Sequence, residues 1–169
     1  MVTNFRASLL VSRAPKARVG HGPSPFFVQD RPRQDLPIAK KGSLPQEIAE
    51  EFEERSKTFE KTFFDLTREP SIRDHIADLK RKQVIVAGCE TDVCVLQSCL
   101  GLLSLGYQVY MVENLLFSAS DNVDSALARM KAAGATFVTY KTLFYELAAS
   151  VDTEERLESA GPVTKNLPN

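Results

Sequence analysis

Residues Val84–Leu105, VIVAGCETDVCVLQSCLGLLSL, decide the fold. Val84, Ile85, Val86 and Ala87 are consecutive, apolar and mostly β-branched, which predicts a strand buried on both faces. Gly88 breaks that run. Thr91 and Asp92 follow, and such side chains favour a helix start because they bond the free N–H groups of its first turn. From there Val93, Leu96, Leu100 and Leu103 recur at helical spacing. Cys94 is therefore expected in the first turn of a helix, at the carboxyl end of a buried parallel strand. Open α/β sheets bind ligands at that end, and the helix dipole there favours a thiolate. Cys94 equally suits a plain core position, since free cysteine is among the most buried residue types. Cys99 falls further along the helix, where the dipole gives it little. The spacing of Cys89, Cys94 and Cys99 lacks the close pairs of a zinc knuckle, so no metal is expected.

The flanking sequence predicts alternating elements. Downstream, Gly106 suits a left-handed helix cap, Gln108–Val112 a strand and Asn122–Ala133 a helix turning Val123, Leu127 and Met130 inward. Thr136–Thr139 then reads as a strand and Leu143–Ala149 as a closing helix, before a polar tail from Asp152. Upstream, Ser71–Arg81 reads as a helix with Ile72, Ile76 and Leu79 on one face, Ser71 as its cap and His75 exposed among charges. The segment QEIAEEFEERSKTFEK, residues 46–61, reads as a charged helix anchored by Ile48, Phe52, Phe59 and the following Phe63. Lys61 adjoins two phenylalanines, and the ordinary expectation is a stem laid over apolar neighbours with the ammonium in water. Phe26–Val28 and Ser8–Val11 read as short strands. The loop between them holds His21, and a proline-broken loop, DRPRQDLP, follows the later strand. Strand–helix alternation of this kind implies βαβ units and a parallel sheet covered by helices on both faces.

Composition narrows the classes. The chain has 169 residues, 43% of them hydrophobic and 25% charged, as expected of one globular domain. A formal charge of −1 gives no electrostatic case for nucleic acid or an anionic membrane. No apolar run is long enough to span a bilayer. Three clustered cysteines suit reduced thiols and a cytoplasmic location. The start is basic and free of acids through Arg18, which leaves organellar targeting open. The chain divides into an atypical amino-terminal segment (1–24), an α/β domain (25–150) and a tail (151–169).

GCETDVCV at Gly88–Val95 resembles the isochorismatase-like cysteine hydrolases. The resemblance continues through LQSCLGLLSLGYQVYMVENLLFS and ALARMKAAGATFVT. KTFF at Lys61–Phe64 is similar to the segment carrying that family's catalytic lysine. FFVQDRPRQDLP is similar to its second strand and loop, in the isochorismatase-domain-containing branch. The resemblance implies a three-layer α/β/α sandwich with a mainly parallel, Rossmann-like sheet. It also implies a homo-oligomer, a small-molecule substrate and no cofactor. An Asp–Lys–Cys triad would hydrolyse an amide or related bond: Cys94 attacks, Lys61 lowers its pKa, and the backbone N–H groups of Glu90 and Cys94 hold the oxyanion. A non-proline cis peptide would fall at Cys89–Glu90. Glu113, Asn114 and Ser118, after the strand at Met111–Val112, are candidates for the pocket mouth.

The triad's acid is where this chain departs from the pattern. The family's first strand ends in aspartate, whereas LLVSRA places Arg13 there. The connection from Ala14 to Ser24 is too short for the helix that should follow. Asp30 is expected beyond the second strand, at the wrong place in the sheet. Either Ser8–Val11 fills the central slot through a shortened connection, which is the preferred expectation, or residues 1–24 reflect a truncated or aberrant amino end. Without a general base, proton transfer loses a factor of roughly 10²–10⁴. Three readings follow: a hydrolase with reduced activity, a catalytically inactive scaffold or oligomerisation protein of the same fold, and a redox-responsive protein in which Cys89 or Cys99 resolves an oxidised Cys94.

Overall fold

The computed structural model describes residues 7–13, 24–30 and 57–148. Its strands are β1 (Ala7–Arg13), β2 (Ser24–Asp30), β3 (Lys57–Lys61), β4 (Gln83–Cys89), β5 (Gln108–Phe117) and β6 (Thr136–Val138). They form one sheet in the order β3-β2-β1-β4-β5-β6, the arrangement of a doubly wound α/β fold. The helices are α1 (Pro70–Asp78), α2 (Leu96–Ser104), α3 (Asp124–Ala132) and α4 (Tyr140–Ala148).

β4 is buried as its composition demands, with Val84, Ile85, Val86 and Ala87 each at most 5% exposed. Its alternate residues feed two cores. Val84 and Val86 join Ile72, Ile76, Val95, Cys99, Leu102 and Met130 beneath α1, α2 and α3. Ile85 and Ala87 join Val112, Val138 and Leu143 beneath α4. The fold is thus a three-layer α/β/α sandwich.

β1 occupies the central slot but runs antiparallel to both neighbours, pairing Leu9 with Phe27 and with Ala87. The cause is the connection. A parallel crossover needs about a dozen or more residues, usually with a helix, and only residues 14–23 join β1 to β2. The other neighbouring pairs, β2–β3, β4–β5 and β5–β6, are parallel. Reversal carries Arg13 to the opposite end of the sheet, where it pairs with Gln83. Arg13 therefore does not replace an acid at the carboxyl end of β4.

Residues 57–61 are a strand and not the end of a charged helix, because their burial alternates with period two: Phe59 and Lys61 are buried, their neighbours exposed. Phe63, expected as an anchor, is 40% exposed. α1 begins one residue before Ser71, with Glu69 at its cap position and Pro70 in the first turn. Gly106 takes the left-handed conformation expected, with φ of +82°. β5 runs five residues beyond the strand expected there, through a register shift between Val86 and Gly88 of β4. His21, the segment 46–56, the body of DRPRQDLP and the tail lie outside the described residues.

Candidate active site

β4 ends at Cys89, and a cis peptide joins Cys89 to Glu90, where the family resemblance places one. Residues Thr91–Val95 then form a wide π-type turn that runs directly into α2. The Glu90 carbonyl accepts from the N–H groups of Val93 (3.2 Å) and Val95 (3.0 Å). Thr91, 2% exposed, does not cap its own turn. Its hydroxyl donates to the Phe117 carbonyl at 2.9 Å, tying the turn to the end of β5. Cys94 thus lies in the first turn of a continuous helix above the end of β4, and it is 6% exposed.

The three cysteines are buried and none is in a disulfide, and they are not equivalent. Cys99 is fully enclosed within α2, and burial pushes its thiol up to about 11. It is a core residue.

Glu90 and Asp92 converge on Ser118. The Ser118 hydroxyl lies 3.0 Å from Glu90 Oε2 and 2.5 Å from Asp92 Oδ1, and the Ala119 N–H donates to Glu90 Oε2 at 2.7 Å. These contacts hold the chain leaving β5 against the turn that carries Cys94. Ser118 therefore stands at this end of the sheet. Glu113 and Asn114 have other partners: Glu113 lies 3.8 Å from Lys131 Nζ in an exposed ion pair, and Asn114 Oδ1 accepts from the Tyr140 N–H at 2.8 Å, at the start of α4.

Lys61 is the last residue of β3 and only 3% exposed. The expectation of an ammonium left in water fails here. Lysine is almost never fully buried unless paired, and Lys61 Nζ donates to the Phe63 carbonyl at 3.0 Å. Among the described strands β3 lies at the edge, three places from β4, about 14 Å at ordinary strand spacing. The segment after β3 crosses back over that interval. It meets α2 at Ser98, whose hydroxyl donates to the Phe64 carbonyl at 3.2 Å and accepts from the Leu66 N–H at 3.1 Å. Glu69 Oε1 accepts from the N–H groups of Thr62 and Phe63. Asp65 Oδ1 accepts from the Thr67 N–H at 2.9 Å and the Thr67 hydroxyl at 2.7 Å.

Neither Ser98 nor Glu69 belongs to a sequence motif that points to the site. The available signal for Ser98 was its spacing four residues after Cys94, on the buried helical row continuing to Leu102. Asp30, expected just beyond the second strand, falls within it. It is the final residue of β2 and stands in register with Lys61, at the same end of the sheet as Cys89. The strand runs two residues past Val28, the end of its apolar core, and so reaches Asp30.

Comparison with known proteins agrees with this layout. Residues 6–142 match the Isochorismatase domain. A secreted isochorismatase effector, Isc1, of Phytophthora sojae is 34% identical over 119 residues, covering 68% of this chain and 56% of the relative. Among solved structures, the MAR1 ribonuclease of Caenorhabditis elegans superposes with a TM-score of 0.69 at 26% identity, covering 85% of this chain and 71% of that one. YcaC from Pseudomonas aeruginosa, solved with hexane-2,5-diol and covalent acrylamide, superposes with a TM-score of 0.64 at 28% identity, covering 68% and 57%. The chain spans little more than half the length of the Phytophthora relative and of that YcaC. With the motif, the doubly wound sheet and the domain match all in agreement, the chain belongs to the isochorismatase family.

Proposed function

We propose that this chain is a hydrolase of a small amide, with Cys94 as nucleophile and Lys61 as the cation that stabilises its thiolate. The observation that carries this reading is the burial of Lys61, 3% exposed, on a segment fastened to the helix of Cys94. Enclosing an ammonium costs several kcal/mol, to about that order, unless it is well partnered, and a charge fixed near a sulfur at a helix start favours the thiolate. The covalent acrylamide on YcaC is consistent with a reactive nucleophile in this fold.

In this reading Cys94 Sγ attacks the amide carbonyl and the carbonyl π pair moves onto oxygen. The backbone N–H groups of Glu90 and Cys94 receive that oxyanion. Collapse breaks the C–N bond, the amine leaves with the proton taken from the thiol, and water then cleaves the thioester to acid and free enzyme. Asp30, level with Lys61 in the sheet, is the acid assigned to the proton transfers, and Ser118 borders the pocket. Self-association is part of the proposal, since Phe63, Phe64 and Phe117 are 40%, 55% and 58% exposed. Three cysteines outside any disulfide suit a reducing compartment such as the cytosol.

Other readings fare less well. Cys99 is a poor resolving thiol with its pKa near 11. The C. elegans neighbour is described as a ribonuclease, but a formal charge of −1 offers no cationic surplus for phosphates. The test is ammonia release from a panel of small primary carboxamides, native protein beside Cys94→Ala. Turnover that Cys94→Ala abolishes supports the reading. Equal turnover by both proteins, or none across the panel, overturns it.

A further inference from the structure

We propose that Ser98, aided by Glu69, is a positioning residue that fixes Lys61 relative to Cys94. The proposal rests on the reading of Cys94 and Lys61 given above. Lys61 stands at the sheet edge, three strands from β4, so its strand alone does not place it beside the nucleophile. Placement depends on residues 62–66, and side chains hold that short segment at three points. Lys61 Nζ rests on the Phe63 carbonyl. Glu69 holds the N–H groups of Thr62 and Phe63 from one side. Ser98 holds the Phe64 carbonyl and the Leu66 N–H from the other.

Ser98 is 4% exposed and one helical turn beyond Cys94, so its hydroxyl moves rigidly with the nucleophile's helix. It both donates and accepts, using the donor capacity of a serine in full. The carbonyl that takes the lysine and the carbonyl that takes the serine belong to adjacent residues, Phe63 and Phe64. Displacing Phe64 therefore displaces the seat of the lysine. Removing the hydroxyl takes the partner from the buried Leu66 N–H and from the half-buried Phe64 carbonyl, and the segment is expected to shift.

The test is the pH dependence of iodoacetamide labelling at Cys94, read by peptide mass spectrometry on the full chain. Ser98→Ala is expected to raise the midpoint and slow labelling near neutral pH by about threefold to tenfold, in the direction expected when a thiolate loses a nearby cation. Ser98→Thr, which keeps the hydroxyl, is expected to restore the native midpoint. Glu69→Ala frees only partly exposed groups, and so tests the same idea should Ser98→Ala fail to fold; a raised midpoint is expected. In a Lys61→Met background both substitutions should add nothing, because a positioning residue acts through what it positions. An unchanged midpoint in folded Ser98→Ala or Glu69→Ala, or an equal shift with and without Lys61, would overturn the proposal. A native midpoint in Lys61→Met alone overturns the parent reading instead.

Discussion

Asp30 and Lys61 are register partners at the carboxyl ends of two neighbouring parallel strands. Such partners have backbones about 5 Å apart, so an acidic and a basic residue occupy the same end of the sheet on adjacent strands. Asp30→Asn keeps size and removes the charge. It should lower kcat/KM for a responsive amide by roughly 10²-fold or more, the usual scale of a lost general acid or base. Steady-state kinetics decide this, and a rate within about twofold of native would assign the acid elsewhere.

Cys94 and Cys99 should separate cleanly in a labelling experiment. Burial raises the Cys99 thiol to about 11, so at pH 7–8 it stays protonated and should remain unlabelled until the protein is denatured. Labelling of Cys99 in the folded protein at a rate equal to Cys94 would contradict its enclosed position in α2.

Gly101→Ala tests how closely the segment after β3 sits on α2. A Cβ there would lie 2.5 Å from both Asp65 Oδ1 and Thr67 Oγ1, and those atoms are hydrogen-bonded to each other. Alanine improves helix propensity by about 1 kcal/mol, whereas overpacking costs about 1–3 kcal/mol. The net expectation is a loss of up to about 2 kcal/mol in urea unfolding. A gain in stability would mean that the Asp65–Thr67 pair yields freely.

His75 lends the fold a pH dependence of definite sign. Its ring centroid lies 5.0 Å from that of Phe59. Its pKa is held below the ordinary 6.5, first by burial and then by the charge of Lys57, with Asp78 opposing. The unfolded chain therefore takes up the proton more readily, and stability falls as pH drops through 6.5 towards the lower folded value. His75→Gln should flatten the melting temperature between about pH 5 and 7 relative to native. An unchanged slope would place the dependence on other groups.

The strongest local patterns were legible. Val84–Ala87 suits a strand buried on both faces and is one, and Cys94 follows at the start of a helix. Phe59 and Lys61 were harder. A five-residue edge strand with charged outer positions differs little from the end of a charged helix until the partner strand is known. The direction of β1 was hidden in the length of residues 14–23, a constraint on topology that apolar patterning does not express. Ser98 matters through backbone groups 32 and 34 residues away, a relation with no local signature.

The reversal of β1 also reaches the bench. Leu9 pairs with Ala87, and the strand runs from Ala7 away from the end of β4 that leads to Cys94. The first residue of β1 therefore stands at the end of the sheet where β4 closes. The start of β1 and the turn of Cys94 share one end of the sheet, so a change made at Ala7 belongs among the controls in any assay of the proposed nucleophile.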